Sequence, residues 1–154
     1  MKTEHLLIMR FTALGEVAML VPVVSSLAQQ YPELRITVLS NPFARQLFDG
    51  IAHNVGFMAA DLNGEYHGVK GLNALYRRLV AKNFTAIADM QSILRSSYLR
   101  MRFNISSYRV EHLDNHRQDR RKLVAAKDKC LKQLPPLFDD YADVLARLGY
   151  NVRL

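Results

Sequence analysis

The run His5-Leu6-Leu7-Ile8-Met9, followed by Phe11–Glu16, Val17–Gln30 and Arg35-Ile36-Thr37-Val38-Leu39, decides the fold. Four apolar residues in a row after His5, too few for a helix, read as a short, fully buried strand. Phe11–Glu16 is then a loop, and Val17–Gln30 a helix with Pro22 near its start, where a missing N–H is best tolerated. Tyr31-Pro32 stops that helix, because a residue before proline is pushed out of helical space. Arg35–Leu39 is rich in β-branched residues and reads as a second strand. Strand, helix, strand is the unit of a parallel sheet.

The rest of the chain repeats the alternation. Ser40-Asn41-Pro42 offers a cap and a first-turn proline for a helix over Pro42–Phe48. Val55–Ala59 is a third strand. A loop holding Gly64, Gly68 and Gly71 precedes a helix at about Leu72–Lys82. Thr85–Ala88 is a fourth strand, Ile93–Arg102 a helix, and Ser107–Val110 a fifth strand. Asp114–Lys132 is basic and has no clear period. Leu137–Leu148 is a final helix with Leu137, Tyr141, Val144, Leu145 and Leu148 on one face, ended by Gly149. Alternating strands and helices predict an α/β fold with a parallel sheet, right-handed crossovers and helices on both faces.

Composition narrows the class. The chain has 154 residues, 49% hydrophobic and 23% charged, with few turn-formers. That composition excludes general disorder and suits one domain. Cys130 is the lone cysteine, which excludes a disulfide scaffold and fits a reducing compartment. The longest clean apolar run, Val17–Val24, is far short of a membrane span. Arg10 interrupts Leu6–Met9, so the N-terminus does not read as a signal peptide, and a cytoplasmic location is expected. The net charge of +7 is uneven: residues 1–69 carry 4 basic and 6 acidic side chains, residues 70–132 carry 15 and 5. Such clustering suggests an anionic partner, or else a solvated basic face.

Open parallel sheets bind ligands beyond the carboxyl ends of their strands, where strand order reverses. With strand one central and strand four beside it, Phe11–Glu16 and Asp89–Ser92 meet there, and strand five delivers Glu111–Arg117. Glu16, Asp89 and Asp114 can thus share one crevice. Thr12-Ala13-Leu14-Gly15-Glu16 has one glycine where a dinucleotide fingerprint needs three. There is no P-loop and no G-x-S-x-G elbow. His112 and His116 have i, i+4 spacing but no partner acid of the metalloprotease type, so no metal is expected. Glu16 has two readings. It is an acid in the first turn of a helix, favoured by the helix dipole by ~0.3–1 kcal/mol. The second reading is a carboxylate at the crevice mouth, able to act as a general base towards a hydroxyl; position alone favours the first, since acids are common at helix starts. For Asp89 the structural reading is capping of its own loop.

Leu6–Pro32 (LLIMRFTALGEVAMLVPVVSSLAQQYP), Arg35–Pro42 (RITVLSNP) and Lys82–Ser97 (KNFTAIADMQSILRSS) together resemble bacterial lipopolysaccharide heptosyltransferases. The resemblance covers nearly the whole chain, as the Rossmann-like N-terminal, acceptor-binding domain of a two-domain GT-B enzyme. It implies that residues 1–154 form one domain and that the donor-binding domain lies outside them. It also implies inverting transfer of heptose from ADP-heptose to an anionic lipid A/Kdo acceptor, active at full length and not in this chain alone. The donor would be held by the other domain, with no cofactor bound here. The family's catalytic carboxylate follows the glycine; that position is Glu16, where the family usually has aspartate. Acceptor contacts are expected from Thr12, Ala13, Gly15, Asp89, Gln91, Arg95, Arg117 and Arg120, with Arg77, Arg78, Lys82 and Arg121 as weaker candidates. Arg forks and Lys point charges suit phosphate and carboxylate groups. The expected setting is the cytoplasmic face of the inner membrane, with peripheral contact to anionic headgroups.

Two other classes remain open on the sequence. The basic 70–132 segment fits a binding module for nucleic acid or an anionic membrane. No nucleic-acid motif is present, however, and its aromatics Tyr76, Phe84, Tyr98, Phe103 and Tyr108 suit a core. Alternatively the chain is a folding unit without activity, and an exposed interdomain face would then favour oligomers.

Overall fold

A computed structural model describes residues 4–105, 108–113 and 136–153. Strands β1 (His5–Met9), β2 (Arg35–Ser40), β3 (Val55–Ala59), β4 (Ala86–Asp89) and β5 (Arg109–His112) form one sheet, in the order β3-β2-β1-β4-β5. Every pairing is parallel, with Leu7 opposite Thr37 on one side and Ile87 on the other. The helices are α1 (Leu14–Ala18), α2 (Leu20–Gln30), α3 (Arg45–Phe48, after a 3-10 turn at Pro42–Ala44), α4 (Gly68–Val80), α5 (Leu94–Ile105) and α6 (Pro136–Arg147).

Strand alternation sorts the core into two layers. Leu6 and Ile8 pack with Val23, Val24 and Leu27 of α2 and with Tyr141, Val144 and Leu145 of α6. Leu7 and Met9 pack on the other side with Leu75 and Leu79 of α4 and with Leu99 and Phe103 of α5. Both faces of β1 are therefore buried, which is why Leu6–Met9 are apolar without alternation. The chain winds outward from β1 to β3, then crosses back through α4 to β4. That reversal puts the switch point between the carboxyl ends of β1 and β4.

Most expected elements are present, with informative shifts. The helix expected over Val17–Gln30 is two helices meeting at Met19. Pro22 cannot donate to the carbonyl four residues back, so the chain restarts its helix there. Helix α4 begins at Gly68, four residues earlier than expected, because Gly71 lets the first turn press against the backbone of Tyr66. A Cβ on Gly71 would stand 2.1 Å from the Tyr66 carbonyl carbon. Strand β4 runs one residue later than expected, since Thr85 bonds to the His5 backbone and Asp89 still pairs with Met9. β5 begins at Arg109, two residues after its expected start, and Ser107 lies outside the described residues. Asp114–Lys132 also lies outside them. Gly149, at φ 102°, ends α6: Tyr150 N–H donates to Leu145 and Gly149 N–H to Ala146, the paired bonds of a Schellman cap.

Candidate functional site

The end of β1 delivers Arg10 to the switch point. Its N–H continues the ladder onto the Leu39 carbonyl at 3.2 Å. Its side chain is buried, and each of the three guanidinium nitrogens has a partner. Nε donates to the Thr12 carbonyl at 2.9 Å, one Nη to the Met90 carbonyl and the other to Oε2 of Glu16. One cation thus joins the β1 loop, the β4 loop and α1. Its guanidinium also lies 5.9 Å from the centre of the Tyr141 ring.

Gln91 fastens the same two loops from the other side. Its Oε1 accepts from the backbone N–H groups of Phe11 (2.7 Å) and Thr12 (3.3 Å), and its Nε2 donates to Oγ1 of Thr12 (2.6 Å). Beneath it Asp89 is fully buried. Oδ1 accepts from the N–H groups of Gln91 (3.0 Å) and Ser92 (2.9 Å), while Oδ2 is 3.0 Å from Nε of Arg100. Ser92 Oγ then donates to the Leu113 carbonyl at 2.6 Å, tying in the end of β5. Asp89, Gln91 and Ser92 each hold backbone through at least one of these bonds.

Glu16 is different. It sits in the first turn of α1 with its side chain 41% exposed, and Oε1 has no partner among the described residues. Helix α6 steadies it through Tyr141, whose hydroxyl donates to the Glu16 carbonyl at 2.8 Å. Burial pushes the Tyr141 hydroxyl well up from its ordinary value, so it remains a donor. Thr12, Ala13 and Gly15 are exposed beside the carboxylate. No atom lies within 4 Å of where a Gly15 Cβ would stand, so packing does not require glycine there.

The structure therefore gathers Thr12, Ala13, Gly15, Glu16 and Gln91 around one opening, with Asp89 below as the brace of the β4 loop. Arg95 lies apart from this group on the first turn of α5, donating to Oδ1 of Asn63 at 2.9 Å. Arg77 and Arg78 are exposed on α4. Arg117, Arg120 and Arg121 lie outside the described residues. The residue that sequence reasoning passed over is Arg10. Its signal was a lone cation directly after a buried strand, a place where a charge persists only when fully partnered. No group of three or more His, Cys, Asp or Glu able to hold a metal exists among the described residues.

The fold recurs in solved structures of other proteins. The chain folds like a glycosyltransferase family 9 protein. The family 9 glycosyl transferase of Veillonella parvula DSM 2008 matches at TM-score 0.68 and 18% identity, over 100% of this chain and 46% of that one. E. coli heptosyltransferase WaaC with ADP-2-deoxy-2-fluoro heptose matches at TM-score 0.65 and 16% identity, over 97% and 50%. The same enzyme with ADP matches at 0.53 and 17%, over 70% and 34%. The chain thus spans half or less of the length of these proteins. No family model matches the sequence, and no curated protein does. What is shared at these identities is the α/β fold.

Proposed function

We propose that this chain is the acceptor-binding part of a heptosyltransferase-like glycosyltransferase of lipopolysaccharide core synthesis. The observation that carries the reading is Glu16. Among the described residues at the switch point, Arg10, Asp89 and Arg100 are committed to one another's loops and largely buried, and the Glu16 carboxylate opens outward. A general base needs one free oxygen within hydrogen-bond reach of the proton it takes, about 2.6–3.2 Å. Glu16 offers Oε1, while Oε2 is held by Arg10.

In the proposed step Oε1 takes the proton of an acceptor hydroxyl. The hydroxyl oxygen forms a bond to the anomeric carbon of the donor sugar, and the bond to the nucleoside diphosphate breaks with inversion. Thr12, Ala13, Gly15 and Gln91 shape the acceptor's approach, and Asp89 keeps Gln91 in place. Arg95, Arg117 and Arg120 supply cations for an anionic lipid A/Kdo acceptor. The donor, ADP-heptose, is assigned to a second domain. Likeness to the family 9 and WaaC folds supports this reading.

Glu16→Gln removes the base while keeping the side chain's length and its bond to Arg10. In the full-length enzyme it is expected to lower transfer by at least a hundredfold with acceptor binding retained. Unchanged turnover would remove Glu16 from the mechanism.

A further inference from the structure

Helix α1, which carries Glu16, is poorly equipped to hold its own shape. It has five residues, and Ala13 at its N-cap offers no side chain to the open N–H groups of the first turn. Pro22, in α2, has no N–H for the Ala18 carbonyl, so α2 does not simply extend the α1 ladder. A helix this short does not persist alone, because nucleation is costly and few bonds repay it. Its hold on the fold has to come from other elements.

Two of its anchors are near in sequence. Val17 is buried in the layer shared with α2 and α6, and Arg10 bonds to the Glu16 carboxylate. The remaining anchor comes from α6, 125 residues further along the chain. The Tyr141 hydroxyl donates to the Glu16 carbonyl at 2.8 Å. Tyr141 is fully buried in the same layer as Val17, and burial keeps its hydroxyl protonated and therefore a donor. A buried tyrosine hydroxyl needs some acceptor, and any nearby carbonyl would satisfy that need. The carbonyl it takes belongs to the one residue at the switch point with an outward carboxylate. Arg10 and Tyr141 act on different parts of Glu16: one holds the carboxylate end, the other the main chain from which the side chain springs.

We propose that Tyr141 is a positioning residue for transfer, holding the Glu16 main chain from α6 so that Oε1 stands within reach of the acceptor hydroxyl. This rests on the reading of Glu16 as the general base. Proton transfer requires hydrogen-bond reach, and a misplacement of about 1 Å costs on the order of a hundredfold in rate. Tyr141 is buried away from the opening, so its hydroxyl acts on kcat and not on acceptor binding.

Tyr141→Phe removes one oxygen and keeps the ring in the core. In the full-length enzyme it is expected to lower kcat by about tenfold with the KM for acceptor unchanged. Amide exchange at Val17 and Met19, which bond to the Ala13 and Gly15 carbonyls, is expected to quicken while the β1 amides keep their protection. Tyr150→Phe removes another hydroxyl from the same layer, one bonded to Arg109, and should leave kcat as it was. Added to Glu16→Gln, Tyr141→Phe should lower the residual rate no further, since the group it positions is gone. An unchanged kcat in Tyr141→Phe, alongside lost transfer in Glu16→Gln, overturns the proposal and leaves Glu16 as the base. Unaltered exchange in α1, an equal loss in Tyr150→Phe, or a further loss in the double variant overturns it as well. Normal turnover in Glu16→Gln removes the base reading, and the role of Tyr141 in transfer falls with it.

Discussion

Gly15 and Glu16 are adjacent, and the reasons for each differ. Glu16 is held by Arg10 on its side chain and by Tyr141 on its carbonyl, so its orientation is over-determined. Gly15 has neither a left-handed φ nor a neighbour that a methyl group would strike. On the fold alone alanine is the better residue there, by roughly 0.5–1 kcal/mol for a helical position. Gly15→Ala is accordingly expected to leave urea stability unchanged or slightly raised, while raising the KM for acceptor in the full-length enzyme. Equal KM values for the two forms would mean that the space before Glu16 is not used by substrate. The pair of open readings for Glu16 was legible in sequence, because a first-turn acid near a switch point suits both. Arg10 was not legible as its partner. Which loops close over a strand-end cation depends on where β4 lies, and spacing along the chain does not encode that.

Among the elements, the apolar runs of β1, β2 and β3 were readable almost to the residue. β1 is buried at every residue, and a strand covered on both faces leaves a continuous apolar signature; β3, at the sheet edge, buries only Met58 of its five residues. The helix starts were less readable. Gly71 looked like loop, since an isolated glycine disfavours helix by about 1 kcal/mol relative to alanine. Its real role is to let α4 lie against the Tyr66 backbone. Gly71→Ala is expected to destabilise the protein by at least ~2 kcal/mol despite its better helix propensity, because the clash is with main chain and cannot be relieved by a rotamer change. A rise in the urea midpoint would show that the loop before α4 moves aside freely. The final helix was legible at both ends, because Tyr141, Val144, Leu145 and Leu148 keep one face and Gly149 supplies the positive φ. The break at Met19 followed from Pro22, yet a single proline permits either a tolerated first turn or a restart, and packing selected the restart.

At the scale of the molecule, His5 joins the central strand to its surroundings at the end of the sheet opposite the site. Nδ1 donates to the Lys82 carbonyl at 3.1 Å, and Nε2 accepts from the Thr37 hydroxyl at 2.7 Å. Burial lowers the His5 pKa from its ordinary 6.5; Arg35 and Lys82 lower it further, against the raising effect of the Lys82 carbonyl bond. The unfolded chain therefore binds a proton more readily than the folded one. The stability from neutral His5 is present above pH 6.5 and is lost as pH falls below that value towards the lowered folded pKa. His5→Gln is expected to flatten the fall in unfolding free energy over that range, measured by urea titrations at stepped pH. An unchanged slope would place the acid sensitivity elsewhere. The sequence by itself determined the layers: apolar runs without alternation must be covered on both faces, and helices of one-sided character must cover them. It also determined the basic bias of residues 70–132. Only the tertiary structure decided which residues meet. Arg10, Gln91 and Asp89 brace the opening because β1 and β4 are neighbours, a pairing across 80 residues set by the crossover through α4. Likewise only the docking of α4 on α5 put Val69 beside Leu94 and left both facing solvent amid cations, since helix–helix contact is fixed by shape and not by local pattern.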